Sequence, residues 1–140
     1  MPTIAQVMTR EPAFLRDDES IQRAAELMAD LDVGELPICD GRRLVGVVTD
    51  RDITVRCVAR GATPASTRVS EAMSSGPQWC FEDDAVEDAS RKMAERQLRR
   101  LMVLDRDKQL VGVVSLGDLA VKAGAGGALK DVSAPAQPAR

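Results

Sequence analysis

Two short stretches of this chain carry residues able to do chemistry. Gly46-Val47-Val48-Thr49-Asp50-Arg51-Asp52 places a hydroxyl and, three residues on, a carboxylate. Gly112-Val113-Val114-Ser115-Leu116-Gly117-Asp118 places the same pair at the same spacing. In each, an apolar strand-like run ends at the hydroxyl residue, and a helix is expected to begin there. A helix N-terminus offers unpaired N–H groups and the positive end of a dipole, which suits phosphate or another anion. A carboxylate in the first turn can accept hydrogen bonds from the vicinal hydroxyls of a ribose, as acidic residues do in dinucleotide sites. The same residues also have a purely structural use. Thr or Ser is a good N-cap, and the dipole favours Asp in the first turn. Thr49, Asp52, Ser115 and Asp118 are therefore candidate binding residues with a competing capping role.

The elements that must position them come from an internal repeat. Met8 and Met73, Pro12 and Pro77, Met28 and Met93, and Asp40 and Asp105 are each 65 residues apart, and the spacing becomes 66 from Leu44 and Leu110 onward. Such a repeat constrains architecture before any motif does. One copy of about 50 residues buries too little surface to be reliably stable, so the two are expected to pack together. Repeat 1 spans residues 3–61, a linker 62–67, repeat 2 residues 68–123, and a flexible tail 124–140.

Each repeat reads β-α-β-β-α, an α/β (α+β) architecture with approximate two-fold symmetry. In repeat 1 a strand is expected at residues 13–15. A helix follows the acidic and capping run Asp17-Asp18-Glu19-Ser20, with its apolar stripe at Ile21, Ala24, Ala25, Met28 and Leu31. Residues 36–39 read as a strand whose Pro37 marks an edge or a strand start. Asp40-Gly41 turns the chain into a strand at residues 44–48, and a helix runs over residues 50–60 to Gly61. Repeat 2 has a lead-in at residues 69–73, a Gly76-Pro77 turn and a strand at residues 78–81. Its helix follows Glu82-Asp83-Asp84, with Val86, Ala89 and Met93 on the apolar face. A hairpin of residues 101–104 and 110–114 turns around residues 105–108, and a last helix runs from Ser115 to just before Gly124.

Composition narrows the function classes. Net charge is −3 and the pI about 5.0, which argues against nucleic acid as the main partner. No apolar run is long enough for a membrane span, and the N-terminus lacks a charged, apolar leader, so a cytoplasmic location is expected. There is no histidine, which removes His-based triads, His-ligated zinc and imidazole general bases; no metal site is expected. Cys39, Cys57 and Cys80 form no CxxC pair and align with Leu104, Ala123 and Leu15 of the other copy, so they read as small core fillers. A Cys39–Cys80 disulfide or a redox role is the rival reading. The pairs Asp50/Asp52 and Asp105/Asp107 are accounted for by a helix start and a hairpin turn, so no enzyme is expected.

On these residues the chain resembles a tandem pair of CBS domains. The resemblance is carried in repeat 1 by Val7-Met8-Thr9, Ser20-Ile21 through Met28, Gly34-Glu35-Leu36-Pro37-Ile38 and residues 46–52. In repeat 2 it is carried by Ala72-Met73-Ser74, Arg99-Arg100-Leu101-Met102-Val103 and residues 112–118. It implies two clefts between the repeats holding adenosine compounds: AMP, ADP, ATP or S-adenosylmethionine. Asp52 and Asp118 take the ribose role, Thr49 and Ser115 the hydroxyl role, and Val47 and Val113 wall the base. Basic side chains at the start of the second strand, here Arg99 and Arg100, reach phosphates bound mainly by the other repeat.

The counterpart of Arg99-Arg100 is Gly34-Glu35. Arginine grips phosphate through paired charge-assisted bonds, and glutamate repels it. Two unequal clefts are therefore expected. A nucleotide belongs on the Asp52/Arg100 side, and a less charged adenosine compound, or nothing, on the Asp118 side. The implied role is a non-catalytic, energy-sensing regulatory module acting through a partner protein or a homodimer, with Val55, Val58 and Val121 on the contacting helices. The alternative is a protein-interaction scaffold with vestigial clefts.

Overall fold

The computed structural model describes residues 2–120. The end of the last predicted helix, the repeat boundary at 123, Val121 and the tail 124–140 lie outside the described residues. In chain order the elements are β1 (Thr9–Arg10), β2 (Leu15–Arg16), α1 (Ile21–Leu31), β3 (Glu35–Asp40), β4 (Arg43–Thr49), α2 (Asp50–Asp52), β5 (Trp79–Phe81), α3 (Val86–Arg96), β6 (Arg100–Leu104), β7 (Leu110–Ser115) and α4 (Leu116–Asp118). Helical winding continues past α2 as a wider π turn, Ile53–Cys57, and a tight 3₁₀ turn, Val58–Arg60. It stops at Gly61, whose φ of 77° suits glycine.

These elements form two compact units, and the units divide the chain differently from the repeats. One is continuous, residues 13–77. The other is composite, residues 2–12 with 78–120. Each repeat's lead-in thus completes the unit built from the other repeat.

In the continuous unit β3 is the centre of a three-stranded sheet, parallel to β2 and antiparallel to β4. The Ser20 hydroxyl caps α1 by accepting from the Arg23 N–H at 3.0 Å. Ile21, Ala24 and Met28 of α1 join Leu15, Leu36, Ile38, Val48, Ile53 and Cys57 in the core. Val69 and Ala72 from the second lead-in are fully buried in the same core. Two expected stripe residues are not. Ala25 is exposed, and Leu31 is 47% exposed. The buried arc is centred on Ala24 and Met28. Ala25 lies off one side, and Leu31 sits in the last turn, where the chain leaves through Asp32 at φ 55°. Leu27 packs against the core instead.

The composite unit has the sheet order β1-β7-β6-β5, with β5 parallel to β6 and the other pairs antiparallel. Val86, Ala89 and Met93 of α3 are buried as expected. Asp84 does not cap the helix; its carboxylate accepts the Phe81 N–H at 2.9 Å, and Ala85 takes the cap position. Lys92 donates to the Trp79 carbonyl at 2.6 Å. Together Asp84 and Lys92 satisfy outward-facing backbone groups of β5, the last strand of this sheet, which blunts its use as a pairing template.

Pro37 is neither at an edge nor at a strand start. It is the third residue of the central strand β3, opposite Val47. Its repeat counterpart, Met102, donates its N–H at 3.3 Å to the carbonyl of Gln78, the residue just before the parallel strand β5. Proline has no such donor. This accounts for β2 beginning one position later than β5: the sheet tolerates Pro37 by giving up one pairing position.

The three cysteines are buried and free. Burial pushes the Cys39 thiol from its ordinary 9.0 up to about 11, against a small opposing pull from Arg42. Burial, reinforced by Asp84 and opposed by Lys92, pushes Cys80 up to about 12. An unfolded thiol loses its proton from about pH 9 upward while these folded thiols keep theirs, so stability present below pH 9 is lost as pH rises toward 11–12. The chain has no tyrosine, and the double variant isolates the contribution of these two thiols. Urea midpoints are expected to fall from pH 8.5 to 10.5, and the fall to shrink in Cys39→Ala/Cys80→Ala. An unchanged slope in that variant would refute the assignment.

Candidate functional site

Both hydroxyl–carboxylate pairs lie where predicted, at a strand-to-helix junction. In the continuous unit the Thr49 hydroxyl accepts the Asp52 N–H at 3.0 Å, and Asp52 Oδ2 accepts the Thr49 N–H at 3.0 Å. In the composite unit Ser115 Oγ accepts the Asp118 N–H at 3.1 Å, and Asp118 Oδ2 accepts the Ser115 N–H at 3.0 Å. Each is a reciprocal capping box. The structural role weighed above is therefore real at both junctions: these groups hold the helix start.

One expectation is corrected. The first turn of α2 does not present unpaired N–H groups. The Asp50 N–H donates to the Gly34 carbonyl at 2.9 Å, the Arg51 N–H to Asp50 Oδ1 at 2.8 Å, and the Asp52 N–H to Thr49. An anion arriving here meets amides already engaged. What this junction offers a ligand is the second carboxylate oxygen. Asp52 Oδ1 faces Arg56 Nε at 3.9 Å, longer than a hydrogen bond, and the Asp52 side chain is 17% exposed. A carboxylate has about four lone-pair sites, so one bond to Thr49 leaves capacity for a hydroxyl donor.

The structure places Arg99 and Arg100 in the composite unit, with Ser115 and Asp118. Arg100 is the register partner of Ser115, and the Leu116 N–H donates to the Arg99 carbonyl at 3.0 Å. Cross-strand partners share a sheet face, so Arg100 stands beside Ser115. Arg99 is exposed and Arg100 half-buried, and among the described residues neither guanidinium is in an ion pair. Thr49 has Glu35 as register partner in the continuous unit. The structure thus brings together Thr49 with Asp52, and Ser115 with Asp118 and Arg100. Val47 and Val113 are half-buried.

Sequence reasoning missed Arg56, which lies beside Asp52 and donates to two backbone carbonyls of the second lead-in. The signal was available: Arg56 is four residues after Asp52, the spacing at which helical neighbours meet.

Two β-α-β-β-based units, each with a Gly-Val-Val-hydroxyl-x-x-Asp junction, define a tandem repeat module. Residues 4–58 and 69–123 each match the CBS domain, and the chain belongs to that family. It is 40% identical over 137 residues to the CBS domain-containing protein YhcV of Bacillus subtilis, covering 95% of this chain and 96% of that protein. It is 31% identical over 121 residues to hypoxic response protein 1 of Mycobacterium tuberculosis, covering 86% and 84%. Among solved structures it is similar to Arabidopsis thaliana CBSX2 in complex with AMP, at 27% identity and a TM-score of 0.75 over 88% of this chain and 96% of that one. A structure of Hypoxic Response Protein I with two coordinated zinc ions matches at 31% identity and a TM-score of 0.74, over 85% and 97%. Zinc does not fit the donors here. The chain has no histidine, its three thiols are buried, and among the described residues no three His, Cys, Asp or Glu side chains gather as a metal site. Among the described residues no helix is long and apolar enough to cross a membrane.

Proposed function

We propose that this protein is a non-catalytic regulatory module that binds adenosine-containing ligands, AMP, ADP, ATP or S-adenosylmethionine, and signals through a partner or a second copy of itself. The observation that carries the reading is the half-buried Asp52 carboxylate, which uses Oδ2 in its capping box and holds Oδ1 3.9 Å from Arg56, beyond hydrogen-bond length; the Asp118 junction repeats the capping box. The AMP complex of CBSX2 supports the choice of ligand class. In this reading Asp52 and Asp118 accept ribose hydroxyls, with Thr49 and Ser115 holding each carboxylate in place. Arg99 and Arg100 supply charge for a phosphate. Their assignment to the ligand held by Asp52 rests on the family resemblance. Their position beside Ser115 makes the Asp118 ligand the competing assignment.

Asp52→Asn separates binding from capping, because the amide oxygen can still accept from Thr49 while the second acceptor is lost. In a thermal-shift titration, a ligand at 100 times its Kd adds about 2.7 kcal/mol of stability. That shift is expected for at least one adenosine compound, and Asp52→Asn should remove it with little change in the unliganded Tm. Arg100→Ala should weaken ATP more than adenosine. Combining Arg100→Ala with Asp52→Asn or Asp118→Asn identifies its carboxylate: the two changes are non-additive only when they serve one ligand. No shift with any adenosine compound at millimolar concentration sinks the sensor reading.

A specific observation favours the scaffold alternative in that event. The capping boxes alone account for both motifs, and Val55 and Val58 are 51% and 57% exposed on one helical run. Adjacent exposed valines suit contact with a partner or a second copy.

A further inference from the structure

The arginine beside Asp52 touches more than the carboxylate. Arg56 Nη1 donates to the Ala72 carbonyl at 3.1 Å and to the Met73 carbonyl at 3.0 Å, while its Nε lies 3.9 Å from Asp52 Oδ1. One guanidinium therefore spans the candidate ribose carboxylate and a backbone segment sixteen and seventeen residues away in sequence. That segment is closely tied to the sheet: Ser74 exchanges two backbone hydrogen bonds with Val47, at 2.9 and 3.0 Å. A few residues later, after Pro77, the chain passes into the composite unit. Arg60, one helical turn on, pairs with Glu71 at 3.1 Å but is not among the groups paired with Asp52. The other copy has Lys122 and Gly126 at the positions of Arg56 and Arg60, so it cannot repeat the guanidinium bridge.

We propose that Arg56 is a positioning residue that couples occupancy of Asp52 to the 72–74 segment. This rests on the ligand reading above. With Asp52 Oδ1 unoccupied, the guanidinium is shared between the carboxylate and two carbonyls. A ligand hydroxyl donating to Oδ1 offsets part of the carboxylate's negative potential. The guanidinium then commits more fully to the carbonyls of Ala72 and Met73, and the segment tightens. The coupling uses groups already within reach, so it needs no large movement of the helix.

The test is hydrogen exchange on the full chain with and without saturating AMP, comparing amides 72–74 with those of β3 in the same unit. β3 corrects for the stabilisation that any bound ligand confers. In the wild type, AMP should slow exchange at 72–74 by about threefold more than at β3. Arg56→Gln should abolish that excess while AMP affinity changes only slightly. Arg60→Gln, which loosens the same segment without touching Asp52, should keep it. Arg56→Lys keeps the charge but not the forked donors and should show a reduced excess, which covers the case in which Arg56→Gln does not fold. AMP binding without excess slowing in the wild type, or excess slowing that persists in Arg56→Gln, overturns the coupling and leaves the ligand reading intact. Loss of AMP binding in Arg56→Gln also overturns it, since Arg56 would then be a ligand contact. No binding of any adenosine compound overturns both.

Discussion

A fragment of residues 13–77 is expected to fold, and a fragment of residues 3–61, the first sequence repeat, is expected not to. The two are similar in length and share β2, α1, β3, β4 and the helical run from Asp50 to Arg60. They differ in the lead-in they carry. Residues 13–77 keep Val69 and Ala72, both fully buried in the core with Leu15, Ile21 and Ile38. They also keep the Ile21 N–H bond to the Thr67 carbonyl, the Val69 N–H bond to the Glu19 carbonyl and the Val47–Ser74 bridge. Residues 3–61 lose all of these and retain Ile4, Val7 and Met8, whose burial is in the composite core. Full burial of a valine-sized side chain contributes about 1.5–3 kcal/mol, and domains of about 60 residues have little stability to spare. Circular dichroism and urea titration should show a cooperative transition for 13–77 alone. Equal cooperativity in 3–61 would show that the lead-in is dispensable.

The second large effect is expected at Gly112. An added Cβ there would lie 2.5 Å from Met8 Sδ and 2.8 Å from the Thr9 carbonyl oxygen. Gly46 repeats the arrangement, with Met73 Sδ at 2.7 Å and the Ser74 carbonyl at 2.9 Å. The methionine tip can swing away. The carbonyl cannot, because Thr9 and Ser74 are bound to the strand beneath them. Overpacking of this kind costs about 1–3 kcal/mol, and Gly112→Ala should fall at the upper end. Gly112→Val should prevent the lead-in from docking. Met8→Ala in the Gly112→Ala background should recover only part of the loss. Gly117→Ala is the control: its nearest atom, Ser115 Oγ, is 3.6 Å from the added carbon, and alanine favours the helix. Thermal unfolding of the four variants checks the order. Gly112→Ala as stable as Gly117→Ala would refute the close approach.

These effects explain why the repeat pairs Met8/Met73 and Gly46/Gly112 were easy to see and hard to interpret. Each methionine packs against the glycine of the other repeat. Equal spacing in both copies is compatible with either partner, since a 65-residue translation carries Met8 to Met73 whichever glycine it covers. The exchange follows from which sheet each lead-in completes, and that is a property of the packed units.

Local features were more legible. Hydroxyl and Asp at a three-residue spacing produce a capping box from backbone geometry alone, and both junctions have one. Asp40-Gly41 and Gly61 adopt their turn and helix-end roles because the αL conformation there depends on the residue itself. The fate of the first-turn amides of α2 was not legible. It depends on Gly34 and on the side chain of Asp50, which bonds the next residue's N–H. Pro37 misled for a related reason: a missing donor argues for an edge only if every neighbouring strand is long, and β2 is short.

By itself, then, the sequence determined the two long helices, the two hairpins and the hydroxyl and carboxylate at each strand-to-helix junction (Thr49, Asp52, Ser115 and Asp118), because short-range periodicity and spacing control those features; the family followed from the resemblance of whole motifs, and the strand at Thr9–Arg10 was not legible because it exists only through pairing with β7. Only the tertiary structure decided that each lead-in completes the other repeat's unit, that the α2 amides are engaged, and that Arg56 joins Asp52 to Ala72 and Met73. Those are contacts between segments separated in the chain, selected by which apolar surfaces and unpaired backbone groups can be satisfied together.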